Sequence, residues 1–171
     1  MKPHIHRFNP FGKNDDWIIE READNFAANL LMPSSFFRED MRNGVFSGDL
    51  IYQLADKYKV SFSACALRCI QLNLLPLMLV YAEEGNIKWQ MRSEDFPFYR
   101  LRYGTSKVPE NTVMGDFFYK NDSSCCEQSE TVFASDCFHT YSEEENKLQF
   151  YEFCIPHNQC AFSMVLGKRD V

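Results

Sequence analysis

The spacing of apolar residues divides the chain into two parts that differ in their expected secondary structure. Before Pro76, apolar positions recur every three or four residues, as in "DDWIIEREADNFAANLLMP" from Asp15 to Pro33, and this spacing predicts amphipathic helices. Four helices are expected: about 15–32, a short one in "PSSFFREDM", about 47–58, and one that begins at Ser61. After Pro76, apolar residues alternate with polar ones or form short runs, and this pattern predicts strands.

The part after Pro76 is expected to form an antiparallel sheet. The runs "LMLVYAEE" and "IKWQMRS" flank a turn at Gly85-Asn86 and predict a hairpin. "PENTVMGDFFYK" predicts a short helix with Pro109 in its first turn, and "TVFASDCFHTY", "KLQFYEFCI" and "CAFSMVLG" predict three more strands. The expected fold class is therefore α+β, with a helical portion over residues 1–75 and a sheet domain over residues 76–171. The same element order occurs in PAS- and GAF-type sensor domains, and the similarity concerns element order alone.

Composition narrows the class of protein. The 171 residues are 45% hydrophobic, which is enough for a substantial core. The net charge is -6 and no block of Lys or Arg stands out, so a nucleic-acid or anionic-membrane surface is not expected. No apolar run is long enough to span a bilayer, and "MKPHIHRFNP" lacks the apolar core of a signal peptide. A cytoplasmic protein is therefore expected. Reduced thiols are expected rather than a disulfide framework, because the seven cysteines are an odd number and are scattered along a chain large enough to be stable without disulfides.

The first predicted helix carries carboxylates where an apolar face is expected. At about 100° per residue, Glu20 falls near the middle of the apolar arc and Asp24 lies beside it, one turn later. The arc comprises Trp17, Ile19, Ala23, Ala27, Ala28, Leu30 and Leu31. The opposite side, with Arg21, Glu22, Asn25 and Asn29, is expected to be solvated. A carboxylate that faces a core must be paired, protonated or bound to a cation.

This helix and the two that end the helical portion resemble a known enzyme family. "EREADNFAANLLMP" is similar to the E-x-x-A-N/D-x-F-A-x-x-L-L-M-P segment of the ImmA/IrrE zinc metallopeptidases, and "LADKYKVSFSACALRCIQL" resembles their L-A-x-x-F-x-V-S-x-x-A-x-x-x-R-L run. The resemblance covers about residues 18–72. It implies that Glu20 is a zinc ligand and that Asp24 is a neighbour of the kind that orients a ligand. It also implies a protein substrate, a helix-turn-helix repressor, whose cleavage switches on phage, mobile-element or stress genes.

One essential motif of that family does not occur in this sequence. H-E-x-x-H places two imidazoles on the zinc, and its glutamate activates the attacking water. In this sequence, His4 and His6 are the only histidines before Glu20, and no glutamate lies between them. The chain therefore resembles a C-terminal portion of a family member, either a fragment or the product of a shortened gene.

Such a portion is expected to have no catalytic residues, no stoichiometric zinc and no peptidase activity. With the upstream part of the catalytic domain absent, we expect the apolar arc to be incompletely covered and the chain to associate through it. The alternative function is a non-enzymatic regulatory or sensor protein that binds a protein or a small molecule through its C-terminal sheet.

Two further patterns are expected to be structural. The helix pair in "LADKYKV-SFSACALRC" has helix-turn-helix character, but its second helix presents apolar residues where a DNA reader needs polar or basic ones, so a packing role is expected.

The C-terminal cysteines and histidines have two possible roles. Cys137 and His139 are expected on one face of a strand. Buried core cysteine is the favoured role for the set, and zinc binding stays open as the alternative. That set is Cys125, Cys126, Cys137, His139, Cys154, His157 and Cys160.

Overall fold

The computed structural model describes residues 15–99, 101, 106–122 and 128–167, with the backbone alone for residues 15–21. The chain divides into two compact units, the first ending at Leu74 and the second beginning at Leu75.

The first unit consists of helices. They are α1 (Asp15–Leu31), α2 (Ser34–Asn43), α3 (Gly48–Tyr58) and α4 (Phe62–Gln71). Local signals set two of the starts, because the hydroxyls of Ser47 and Ser61 accept hydrogen bonds from backbone N–H groups three residues later. The turn between α3 and α4 places Lys59 in the left-handed region, with φ 55°. The four predicted helices are therefore present.

Helices α2, α3 and α4 share the core of this unit. Phe37 of α2, Ile51 of α3 and Cys65 of α4 are completely buried. At the edge of this core, the Asp40 carboxylate accepts hydrogen bonds of 2.6 Å from Lys57 Nζ and from the Tyr58 hydroxyl. These bonds fix α2 against the last turn of α3.

The second unit is a five-stranded antiparallel sheet with helices in its connections. Its strands are β1 (Leu77–Glu83), β2 (Asn86–Arg92), β3 (Glu130–Phe133), β4 (Gln149–His157) and β5 (Cys160–Gly167), in the spatial order β2-β1-β5-β4-β3. Helices α5 (Val113–Lys120), α6 (Ala134–Cys137) and α7 (Glu143–Asn146) lie between β2 and β4 in the chain. The α+β fold class is confirmed. No helix in the described ranges has the length and apolar character needed to cross a membrane.

One face of the sheet and helix α5 form a common core. Met78 and Val80 of β1 belong to the same buried cluster as Val113 and Met114 at the start of α5. Alternation along a strand puts these β1 residues on one face, so α5 packs against that face. This arrangement positions the polar site described below.

The structure corrects three local predictions. The β1–β2 turn is centred on Glu84-Gly85, with φ 51° and 72°, as a type I′ turn requires, and not on Gly85-Asn86. Helix α5 begins after its N-cap Thr112, so Pro109 lies before the helix and not in its first turn.

The third correction concerns "TVFASDCFHTY". Only Glu130–Phe133 pairs with a strand, and the chain then forms α6. The side chain of Ala134 is completely buried there, at the start of α6. Cys137 lies in this helical turn, so the prediction that Cys137 and His139 share a strand face is wrong.

Candidate functional site

Helix α1 carries the two carboxylates singled out in the sequence. Glu20 and Asp24 both lie within the continuous helix Asp15–Leu31, four residues apart, and therefore one turn apart. Asp24 is exposed, and so is Glu22, as expected. The side chain of Glu20 lies outside the described atoms, so its role as a zinc ligand stays a prediction.

The C-terminal half of α1 is attached to α4 through a buried guanidinium. Arg68 of α4 is 4% exposed, and its Nε donates to the Met32 carbonyl oxygen at 3.1 Å. Its Nη2 donates to Asn29 Oδ1 at 2.8 Å, and Gln71 Nε2 donates to Asn25 Oδ1 at 3.4 Å. The side of α1 that was expected to face only solvent thus contacts α4. The reason is that a buried guanidinium needs acceptors, and the asparagine amides and the carbonyl beyond the helix end provide them.

The apolar arc of α1 lies in solvent where it is described. Leu30 is 68% exposed and Leu31 is 49% exposed. Phe26, which lies between Ala23 and Leu30 on the helix surface, is 71% exposed. The part of the arc that the structure describes is therefore largely exposed, with Ala28 half-buried, and association of the chain through it stays a prediction.

No metal centre is assembled from side chains in the described ranges. They contain no group of three or more His, Cys, Asp or Glu residues arranged to hold a metal ion. His4 and His6 lie outside those ranges, and Asp24 is the described neighbour of the predicted ligand Glu20.

The C-terminal cysteines and histidines are distributed over different environments. Cys137 and Cys154 are buried in the core, His139 is exposed, and His157 and Cys160 are half-buried beside the β4–β5 turn. Burial, reinforced by the charges of Glu152 and Asp136, raises the pKa of the Cys137 thiol well above its usual range. A thiol with a raised pKa is a poor metal ligand and nucleophile. Cys125 and Cys126 lie outside the described residues.

The helix pair α3–α4 presents mainly a packing surface. Phe62, Cys65, Ala66 and Cys69 of α4 are buried. Burial raises the pKa of Cys65 to about 12. These observations favour the packing role expected from the sequence.

The second unit contains a buried carboxylate that the sequence analysis did not single out. Glu152 of β4 is 2% exposed. Its Oε2 accepts from the Val113 backbone N–H at 2.7 Å, and its Oε1 accepts from the Met114 N–H at 3.3 Å and from the Ser163 hydroxyl at 2.7 Å. Burial raises the pKa of Glu152; the three hydrogen bonds act in the opposite direction, and the nearby Asp116 charge adds to the rise.

A small cavity adjoins this carboxylate. It offers about 10 Å³ to the centre of a water-sized sphere, room for about one water molecule, and its polar lining consists of Thr112, Cys137, Glu152 and Ser163. The remaining lining is largely apolar, with Val80 among its members. The arrangement places hydrogen-bonding groups at the wall of an otherwise apolar space, but that space is far smaller than the several hundred Å³ of a typical small-molecule site.

A signal for this site was present in the sequence. In "QFYEFCI", alternation puts Glu152 on the same strand face as Phe150 and Cys154, so a carboxylate interrupts an apolar face. Glu152 caps the start of α5, which lies far away in the sequence. This partner of Glu152 was not predictable from the strand pattern.

Comparison with known proteins yields one family for the helical unit. Residues 4–69 match the family model of the IrrE N-terminal-like domain, Peptidase_M78. The match spans α1 to α3 and most of α4, and it supports the ImmA/IrrE metallopeptidase family indicated by "EREADNFAANLLMP". No curated protein matches the chain.

Proposed function

We propose that this chain is a C-terminal portion of an ImmA/IrrE-type zinc metallopeptidase in which Glu20 supplies one ligand to the zinc. The family match over residues 4–69 supports the metallopeptidase family, and the idea of a portion rests on the lack of H-E-x-x-H in the 171 residues. The helix Asp15–Leu31 supports it, because an unbroken helix sets Glu20 and Asp24 one turn apart. In the complete enzyme, the substrate is a helix-turn-helix repressor in the cytoplasm, and its cleavage changes gene expression.

The division of chemical roles follows from the residues present. A zinc ion bound at this site would supply Lewis-acid chemistry for peptide hydrolysis. Glu20 would hold it through a carboxylate oxygen, and Asp24 would be the neighbour that helps to orient this ligand. The 171 residues contain no H-E-x-x-H, so they provide neither the two imidazoles nor the glutamate that acts as general base. The chain by itself is inactive as a peptidase.

Measurements of zinc content and of substrate cleavage test whether this chain lacks a complete zinc site and peptidase activity. The purified chain is dialysed and its zinc is measured by mass spectrometry, together with Glu20→Gln and the control Glu22→Gln, whose residue is an exposed carboxylate on the same helix. We expect less than stoichiometric zinc in all three proteins and no cleavage of an unstructured fluorogenic substrate. One retained equivalent, lost in Glu20→Gln and kept in Glu22→Gln, would show that this chain completes a zinc site of its own.

The coding DNA upstream of Met1 tests the claim that the chain is a portion. An in-frame H-E-x-x-H before the first codon supports it. A stop codon followed by a ribosome-binding site contradicts it and favours a stand-alone protein.

A second candidate function is a non-enzymatic sensor that binds a small molecule in the sheet unit, at the cavity beside Glu152, which would have to widen from about 10 Å³ to admit one. Ligand-observed NMR with a fragment library tests this function. Val108→Phe, which places a larger side chain in the cavity wall, is the comparison, with circular dichroism to verify its fold. Fragments that bind the parent chain and not Val108→Phe support the sensor function. Equal binding to both proteins, or none, contradicts it.

A further inference from the structure

One side of helix α1 forms a continuous apolar surface in solvent. We define the α1 face as Ala23, Phe26, Ala27, Leu30 and Leu31. These residues are three or four positions apart, so they lie on one side of the helix. All five are exposed. Three large apolar side chains, Phe26, Leu30 and Leu31, lie together in this surface, and contiguous exposed apolar patches often mark interaction sites.

The other side of the same helix is already occupied. Asn29 and the carbonyl of Met32 accept hydrogen bonds from Arg68 of α4. Among the described residues of the first unit, the contacts that attach α1 to α4 therefore leave the α1 face unused.

We propose that a second copy of this chain covers the α1 face, with the two α1 helices antiparallel and crossing near Phe26 and Ala27. The inference rests on exposure and charge, and it does not depend on a zinc site at Glu20.

The charge distribution of α1 is compatible with a second copy and favours the antiparallel orientation over the parallel one. The helix has five acidic residues, all between Asp15 and Asp24, and the segment 25–31 has no charge. Parallel pairing would set Glu22 and Asp24 against their own counterparts, where like charges repel. Antiparallel pairing places the acidic ends apart and brings the uncharged segments together. Such a surface is self-complementary about a two-fold axis.

The shape of the face also suits a helix pair. Ala23 and Ala27 lie one turn apart between larger side chains, and small residues at a crossing allow two helix axes to approach closely. The accessible surface of the α1 face is on the order of 450 Å² per copy, or about 900 Å² for the pair, which is typical of weak and transient interfaces. The association is therefore reversible and depends on concentration.

Sedimentation velocity over a concentration series tests the association. We expect the average mass to rise from the 20.1 kDa of one chain towards twice that value. Leu30→Glu and Phe26→Glu are expected to remain at 20.1 kDa, because each places a charge in the centre of the face. Val45→Glu is the matched control, since Val45 is 90% exposed in the same unit and lies outside the face. A parent chain that remains monomeric, or equal weakening by Val45→Glu, overturns the proposal.

Cysteine cross-linking tests the orientation and the identity of the partner. The variants Ala23→Cys and Leu30→Cys are prepared in a background in which Cys125, Cys126 and Cys160 are replaced by serine. Mixed chains are expected to form the 23–30 disulfide faster than the 23–23 or 30–30 disulfide. Faster like-to-like linkage contradicts the antiparallel pair. Absence of all three linkages contradicts a second copy on the α1 face.

Discussion

The carboxylate of Glu152 accepts a 2.7 Å hydrogen bond from the backbone N–H of Val113, so strand β4 caps helix α5 from inside the core. The Thr112 hydroxyl accepts from the Gly115 N–H at 3.0 Å, and Glu152 also accepts from Met114. Side chains thus accept from the N–H groups of Val113, Met114 and Gly115, which lie in the first turn of α5, where the helix itself provides no acceptor.

Replacement of Glu152 by alanine is expected to destabilise the sheet unit. The change leaves the N–H groups of Val113 and Met114 buried without this acceptor, at about 1–3 kcal/mol for each unsatisfied group. Glu152→Gln retains one acceptor oxygen and is expected to cost less. Urea unfolding measures the difference, with the exposed Glu144→Ala as control. Equal stability of Glu152→Ala and the control would contradict the capping role.

The pH dependence of stability is expected to report the raised pKa of Glu152. Burial favours the protonated carboxyl in the folded chain, so the folded state binds more protons than the unfolded state between the unfolded pKa near 4.5 and the higher folded pKa. The stability contributed by this group is fully present below the unfolded pKa and is lost as pH rises through the folded pKa. The stability of the parent chain minus that of Glu152→Gln should therefore fall as pH increases. A difference that rises with pH would mean that the hydrogen bonds outweigh burial.

Gly115 is expected to be intolerant of a side chain. A Cβ there would lie 2.3 Å from the carbonyl oxygen of Pro109 and 2.6 Å from that of Glu110, and both are backbone atoms. We expect Gly115→Ala to lower the free energy of unfolding by about 1–3 kcal/mol. Gly44→Ala is the comparison, because its Cβ would meet only the flexible end of Leu50. Thermal unfolding of the two variants is compared. A clearly larger loss of stability in Gly115→Ala supports the role of rigid backbone contact, and equal losses contradict it.

Removal of the Arg68 side chain is expected to loosen α1. Arg68→Ala deletes the donors to Met32 and Asn29, so amide hydrogen exchange over residues 22–31 should accelerate relative to the rest of the unit. The exposed Arg42 of α2 provides the control Arg42→Ala. Unchanged exchange in Arg68→Ala would show that other contacts hold α1.

The contrast between α4 and α6 shows how far the sequence leads and where it stops. The start of α4 was predictable because the Ser61 hydroxyl binds the N–H of Ala64, only three residues later. The end of β3 was not predictable, because "TVFASDCFHTY" favours a strand locally and the chain nevertheless turns at Ala134, which is completely buried.

The sequence by itself determined the helices of the first unit, the antiparallel sheet of the second and the motif around Glu20, because caps, periodicity and motifs act over a few residues. Only the tertiary structure decided which side of α1 contacts α4 and which helix Glu152 caps. The hydrogen bonds from Arg68 to Asn29 and from Val113 to Glu152 each join residues 39 positions apart. Pairings at that distance depend on how the elements pack, since no local preference of either segment specifies its partner.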